Sequence, residues 1–181
     1  MKKIYFITGN ENKFSEAKKI LPEIEQLNID LPEIQGTDPR KIIEAKLTAA
    51  SEHHDGIFVV EDTSLELKCL NGFPGPLIKW LREKIGNDGI AEMVGRYSDS
   101  MATARAVVGF KSGDDIQFFE GSIEGQIVIA RGDQDFGWGP IFQPSGSEKT
   151  FGELSREEKN SISMRKIAFE KLKEYIAGLG N

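Results

Sequence analysis

The chain has 181 residues, a formal net charge of −6 at pH 7 and a single cysteine, Cys69. The negative net charge argues against general nucleic-acid binding, which needs clustered Lys and Arg. It still allows a few local cations to bind a small anion. One cysteine excludes an intramolecular disulfide, and no apolar run approaches the roughly 20 residues of a membrane span, so we expect a cytoplasmic protein with neither a nucleic-acid nor a membrane partner.

The apolar pattern alternates strand-like and helix-like segments, without a repeat or a linker that would divide the chain. The spacing predicts a buried strand over residues 3–7, a helix over 13–21, a helix that begins at Asp38-Pro39 and a strand over 57–60. Further helices are expected over 76–85, 88–94 and 163–177, and Ser155-Arg156-Glu157-Glu158 has the pattern of a capping box. Strands of an antiparallel ribbon are expected over 102–110, 116–120 and 126–130. We therefore expect one α/β domain over residues 1–181.

The segment Thr8-Gly9-Asn10-Glu11-Asn12-Lys13 connects the first strand to the first helix. Backbone N–H groups at a helix N-terminus bind anions, Gly9 permits a close approach and Lys13 adds a positive charge. The same residues also suit an ordinary turn with a lone lysine, so this motif on its own indicates little.

Two acidic residues, Glu61 and Asp62, directly follow the buried strand over 57–60. Sites in α/β sheets usually lie at the carboxyl ends of the strands, and Mg²⁺ needs only one or two carboxylates when substrate phosphates complete its shell. Glu33 is a further candidate acid. Solvated loop acids remain the alternative interpretation of all three.

Four cationic residues flank turns or helix starts: Lys46, Lys79, Lys159 and Arg165. Lys46 lies on the second helix, Lys79 follows a turn-rich segment over 70–76, and the other two lie near the start of the last helix. Each suits contact with a phosphate or a carbonyl, and each also suits a solvated surface position.

The segment over residues 135–144 is crowded with glycine, proline and aromatic residues. Glycine lets backbone approach a ligand, while Phe136 and Trp138 offer planar faces on which a base can stack. This composition indicates a binding loop for a flat ligand.

Together these segments resemble the inosine triphosphate pyrophosphatase family, which hydrolyses non-standard purine nucleotides such as ITP, dITP and XTP to the monophosphate and pyrophosphate. The resemblance spans nearly the whole chain and rests on an ordered set of motifs: Thr-Gly-Asn-x-x-Lys at 8–13, Leu-Pro-Glu at 31–33, Glu-Asp-Thr at 61–63, Gly-x-Pro-Gly-Pro at 72–76, Phe-Gly-Trp at 136–138 and Glu-Lys-Asn at 158–160. It implies an α/β fold with a mixed, curved central sheet flanked by helices, and two lobes with the active site in the cleft between them. A homodimer is also implied.

The resemblance also implies roles for particular residues. The residues implied to bind the triphosphate are Thr8, Gly9, Asn10, Lys13 and Lys46, with Thr63 and Lys79 along the same tract. Glu33 would help to bind a magnesium ion (Mg²⁺), and Asp62 would bind this metal or serve as the catalytic base. The residues implied to contact the purine are Phe136, Gly137, Trp138, Lys159 and Arg165.

Two positions depart from the family pattern, in which aspartate stands where this chain has Gly139 and histidine where it has Met164. Both belong to the implied base-binding site, so we expect hydrolysis to be retained and the rejection of GTP to be weaker. Two alternative functions are a pyrophosphatase for other modified nucleotides, like the Maf proteins, and a nucleotide sensor without turnover.

Overall fold

Seven strands form one open sheet in the computed structural model, which describes residues 3–133 and 137–179. The strand order is β2-β1-β3-β5-β6-β7, and β4 pairs with β3 off this path. The strands are β1 Ile4–Ile7, β2 Ile24–Leu27, β3 Ile57–Leu67, β4 Pro74–Gly75, β5 Met101–Ser112, β6 Asp115–Ile127 and β7 Phe142–Pro144. The sheet is mixed, because β1 pairs in parallel with β2 and β3 while β4 and β7 pair antiparallel with their neighbours.

Helices flank this sheet, and two short 3₁₀ helices join it to the loops. The α-helices are α1 Glu11–Ile20, α2 Pro39–His53, α3 Ile78–Gly95, α4 Arg156–Ile162 and α5 Met164–Leu179, and the 3₁₀ helices are Lys68–Leu70 and Gly139–Ile141. The expected α/β class is thereby confirmed. Within the described ranges, no helix has the length and apolar character needed to cross a membrane.

The chain divides into two compact units, and each is built from segments that are far apart in sequence. Unit 1 comprises Met1–Asp62, Ala106–Gly121 and Met164–Asn181, and unit 2 comprises Thr63–Arg105 and Ser122–Ser163. The expected single domain over residues 1–181 stays a prediction.

Unit 1 has its core where α2 packs on the sheet. Ile43 and Leu47 of α2 are fully buried in one cluster with Phe58 and Val60 of β3 and with Val107 of β5. The helix begins where the sequence predicts, because the Asp38 side chain accepts a hydrogen bond from the Arg40 backbone N–H and proline occupies the first helical position.

Unit 2 contains a cluster of packed aromatic side chains, Trp138, Phe142 and Phe151. The Trp138 ring lies 5.6 Å from that of Phe142 and 6.2 Å from that of Phe151, measured between ring centres. Phe142 and Phe151 are fully buried. These rings hold the 3₁₀ helix Gly139–Ile141 and strand β7 together.

Strand β6 corrects one prediction from the sequence. The prediction of separate strands over 116–120 and 126–130 is wrong, because β6 runs without a break from Asp115 to Ile127. Gly121 and Gly125, which lie between the two predicted strands, are strand residues against which other groups pack closely. A strand glycine often marks such an approach rather than a turn.

Replacing Gly121 with alanine tests this interpretation. A Cβ atom there would collide with the Met164 carbonyl oxygen and lie 2.9 Å from the Ala168 nitrogen. Since these are backbone atoms, we expect Gly121→Ala to lower the free energy of unfolding by at least about 2 kcal/mol in urea denaturation. Gly178→Ala is the control, because no atom lies within 4 Å of a Cβ at that position. Equal unfolding midpoints for the two variants would contradict the assignment.

Candidate active site

The loop before α1 is organised by Asn10. Its side-chain oxygen accepts hydrogen bonds from the backbone N–H groups of Asn12 and Lys13, at 3.0 and 3.1 Å, and the Thr8 hydroxyl accepts one from the Asn10 N–H at 3.1 Å. These hydrogen bonds within the loop define its shape. It presents the start of α1 with the Lys13 side chain about three-quarters buried, at 24% exposure.

A buried ion-pair network lies behind this loop and joins α1, β3 and α5. Arg165 donates from Nε and Nη2 to the two carboxylate oxygens of Glu61, at 2.7 and 3.0 Å, and from Nη1 to Glu16. The Glu61 side chain is 0% exposed and that of Arg165 is 7% exposed. The Lys13 ammonium lies 3.6 Å from Glu61, so two carboxylates face two cations and the formal charges balance.

This network keeps its members ionised. Burial by itself would raise the pKa of Glu61, but Arg165 and Lys13 outweigh it and lower the pKa to about 2. Burial likewise opposes the charge of Arg165, while Glu61 and Glu16 raise its pKa above the ordinary value. A buried charge without a partner would be strongly unfavourable, so the four side chains stabilise one another.

Asp62 is the next residue along β3, so its side chain lies on the opposite face of the strand from Glu61. Burial raises the pKa of Asp62 to about 6, with Lys13 and Lys46 opposing the rise and Glu33 and Glu61 adding to it. Its Oδ2 atom is buried and has no hydrogen-bond partner among residues 3–133 and 137–179. This oxygen therefore suits a cation or a proton.

Glu33 lies beside Lys46 in an ion pair, with 49% of the Glu33 side chain and 16% of the Lys46 side chain exposed. In the described part of the chain, no three His, Cys, Asp or Glu side chains form a metal-binding group. A complete protein cage is therefore absent there. The pair Glu33 and Asp62 suits Mg²⁺, which commonly takes one or two carboxylates and fills its remaining positions with phosphate oxygens and water.

Unit 1 brings together the residues expected at the triphosphate and the metal: Thr8, Gly9, Asn10, Lys13, Glu33, Lys46 and Asp62. It also contains Arg165 and the buried Met164. Arg165 has five N–H donors, and at least three point at carboxylates, so its position is set by Glu61 and Glu16. Its expected contact with a purine stays a prediction.

The other expected residues belong to unit 2, namely Thr63, Lys79, Gly137, Trp138, Gly139 and Lys159. Lys79 is exposed, and its ammonium lies 5.1 Å from the centre of the Trp80 ring. Lys159 is buried on α4, which begins at the predicted capping box of Ser155 and Glu158. Phe136 lies outside the described residues.

From the sequence, Glu16 was given no role and Glu61 was considered only as a possible metal ligand, although a signal for the ion pairs of each was present. Glu61 follows the buried residues Phe58, Val59 and Val60 in β3. A carboxylate that continues a buried strand needs a cation, and its partner can be far away in sequence. Glu16 shares a helix face with Lys13 and the buried Ala17, because residues three and four apart are neighbours on a helix.

Comparison with known proteins identifies the family of this chain. The Ham1 family profile matches residues 4–175. The chain is 41% identical over 181 residues to the inosine triphosphate pyrophosphatase of Schizosaccharomyces pombe, covering 97% of this chain and 96% of that protein. It is 43% identical over 182 residues to the protein of the same name from Ajellomyces capsulatus, covering 98% of each. The chain belongs to the Ham1 family, which confirms the resemblance seen in its motifs.

A solved structure supports the fold in the same way. The Ham1 protein of Staphylococcus aureus superposes with a TM-score of 0.83 at 25% identity, covering 97% of this chain and 99% of that chain. The mixed α/β fold expected from the motifs is thus shared with a relative that differs at three of every four positions.

The ion-pair network predicts a large loss of stability in Glu61→Gln. This change leaves Arg165 and Lys13 without their shared carboxylate, and breaking such a buried pair costs about 3 to 5 kcal/mol of unfolding free energy. Urea denaturation at pH 7 measures the loss.

The exposed pair of Lys3 and Glu25 provides the control for that experiment. Glu25→Gln should leave the unfolding midpoint nearly unchanged, because solvent screens exposed ions. The double variant Glu61→Met/Arg165→Met should recover part of the lost stability, since it removes the two most buried charges of the network, which are opposite in sign. A loss in Glu61→Gln as small as in Glu25→Gln would show that the network contributes little.

The raised pKa of Asp62 predicts that this residue lowers the stability of the fold as the pH rises. Its pKa is about 6 in the folded protein against an ordinary value of 3.8, so the unfolded chain loses this proton first as the pH rises. Ionisation of Asp62 therefore destabilises the fold between pH 4 and 6, by about 3 kcal/mol at most. We expect Asp62→Asn to be more stable than the wild type above pH 6 and to differ little near pH 4.

Urea denaturation from pH 4 to 8, in EDTA to exclude divalent cations, measures this difference. Asp55→Asn, at an exposed acid before β3, is the matched control and should follow the wild type across the range. If Asp62→Asn also runs parallel to the wild type, burial does not raise the pKa of Asp62.

Proposed function

We propose that this protein is a nucleoside-triphosphate pyrophosphatase that hydrolyses ITP, dITP and XTP to the nucleoside monophosphate and pyrophosphate, removing them from the nucleotide pool. The observation that carries the proposal is the cluster around Asp62, where Lys13, Lys46 and Glu33 influence one largely buried carboxyl with an unpaired oxygen. Relatives named inosine triphosphate pyrophosphatase that align over nearly the whole chain support the choice of substrate.

Lys13 and Lys46 suit the phosphate end of the substrate. They are the two cations that lower the pKa of Asp62, so both act at the position of its carboxyl group. A triphosphate placed there gains from both positive charges, and the backbone N–H groups at the start of α1 add further donors. Lys13 is itself held by Glu61, so its position does not depend on the substrate.

Glu33 and Asp62 are the residues that would hold a magnesium ion. When bound, the ion neutralises charge on the phosphate oxygens. Asp62 orients a water molecule and accepts its proton as the water oxygen bonds to the α-phosphorus. The bond from the α-phosphorus to the bridging oxygen breaks, and pyrophosphate leaves. A pKa near 6 leaves Asp62 mostly ionised at pH 7 and basic enough to accept the proton.

The purine is proposed to meet the loop over residues 136–139 together with Lys159 and Arg165. Hypoxanthine and xanthine carry a carbonyl at the 6-position, which suits N–H donors, whereas adenine carries an amino group that leaves such donors unpaired. Guanine shares the carbonyl and differs at the 2-position. Gly139 and Met164 replace the aspartate and histidine of the family pattern, so we propose that GTP is rejected less strongly than in a member that has both.

The cellular setting is part of the proposal. A single cysteine suits a reducing compartment, and we propose the cytoplasm. We also propose a homodimer, supported by the family resemblance and by exposed aromatic side chains in unit 2, where Phe73 is 47% and Trp80 44% exposed. The location of the active site in a cleft between two lobes stays a prediction.

An assay with a panel of nucleoside triphosphates and Mg²⁺ tests the proposed function. We expect equal amounts of monophosphate and pyrophosphate, with kcat/KM highest for ITP, dITP and XTP, lower for GTP and lowest for ATP. Asp62→Asn should lower kcat for ITP by roughly 100-fold or more, because it removes the proposed base and a metal ligand. Asp55→Asn, at an exposed acid of unit 1, is the matched control and should keep wild-type turnover.

Each alternative has its own outcome in this assay. Turnover confined to other modified nucleotides would indicate a Maf-like pyrophosphatase. Tight binding of ITP without release of pyrophosphate would indicate a sensor. Either result, or wild-type turnover by Asp62→Asn, would overturn the proposal.

A further inference from the structure

Helix α3 contains a break at Gly86. The backbone angles there are φ 70° and ψ 176°, far from helical values, and the helix resumes after it. Residues other than glycine rarely adopt such backbone angles. A Cβ atom at Gly86 would meet nothing within 4 Å, so the backbone conformation, not lack of space, requires glycine. The sequence pattern predicts separate helices over 76–85 and 88–94, and this break is confirmed.

The break places the next residue, Asn87, against Gly137, the first residue of the loop over 137–139. Asn87 donates from Nδ2 to the carbonyl oxygen of Gly137 at 2.9 Å. Both residues belong to unit 2. Because a carbonyl only accepts hydrogen bonds, the contact also fixes which end of the amide faces the loop.

The other end of the amide is unusual. Asn87 Oδ1 is buried and finds no hydrogen-bond partner in the part of the chain that the structure describes. An asparagine just after a helix break ordinarily caps the following turn by accepting from a backbone N–H. Here the side chain forgoes that local bond and contacts Gly137 instead. A buried unpaired acceptor is unfavourable, so fold stability alone does not explain this residue.

The residues after Gly137 are anchored by other groups. The Trp138 ring packs on Phe142 and Phe151, and the Gly139 carbonyl accepts a hydrogen bond from the Gly152 N–H at 3.0 Å. Neither contact orients the carbonyl of Gly137. Asn87 therefore supplies the side-chain contact that sets the peptide group between Gly137 and Trp138.

We infer that Asn87 is a positioning residue for the base-binding loop, and that the break at Gly86 serves to place it. The inference rests on the proposed function and adds to it a residue outside the expected site. By fixing the Gly137 carbonyl, Asn87 determines the surface that residues 137–139 present to a purine. Asn87 belongs to unit 2, whereas the residues proposed to bind the triphosphate belong mainly to unit 1.

Two variants test this role, Asn87→Ala and the isosteric Asn87→Asp, which keeps the side-chain shape and lacks the donor. We expect both to raise KM for ITP roughly five- to tenfold, the effect of losing one positioning hydrogen bond, with kcat within about twofold. The inhibition constant of inorganic tripolyphosphate, a probe without a base, should stay at the wild-type value. Gly86→Ala should raise KM for ITP in the same way, because it displaces Asn87.

Glu83→Gln, an exposed residue on the same helix, is the matched control and should change none of these constants. Unchanged KM in both Asn87 variants would overturn the inference. So would a parallel rise in the inhibition constant of tripolyphosphate, which would indicate a general loss of structure. If the wild type releases no pyrophosphate from ITP, the proposed function fails, and the Kd for ITP from calorimetry replaces KM in the same comparison.

Discussion

The buried ion pair between Glu61 and Arg165 is the interaction on which unit 1 depends. It joins β3 to α5, and Glu16 joins the same guanidinium to α1. Because each buried charge is unfavourable without its partner, the three elements are stable only in the relative position that completes the network. Lys13, at the start of α1, is thereby held beside β3 by a protein carboxylate.

Alternation along β3 gives two adjacent acids different roles. Glu61 lies on the face that meets Arg165 and is satisfied, whereas Asp62 lies on the other face and keeps an unpaired buried oxygen. The fold therefore stabilises one carboxylate strongly and raises the pKa of the next. A group that destabilises the fold when ionised is common at catalytic sites, where stability and activity compete.

In the loop over residues 137–139, some side chains also support the loop itself. Trp138, which the sequence presents as a stacking surface, packs with Phe142 and Phe151 and anchors the loop in unit 2. Asn87 then sets the peptide group of Gly137 from a neighbouring helix. Side chains that look like ligand contacts in the sequence thus also serve as supports, because a loop must be held rigidly before it can select a ligand.

The sequence by itself determined the family and the α/β class through its motifs and apolar pattern. It also determined the helix starts at Asp38 and Ser155 and the break at Gly86, because caps and glycine conformations depend on near neighbours. Contacts between distant segments were decided only by the tertiary structure. The short strands β2 and β7 and the continuity of β6 through Gly121 depend on what packs beside them. The partners of Arg165 lie 104 and 149 residues away, and no local pattern specifies charges that meet only when the chain has folded.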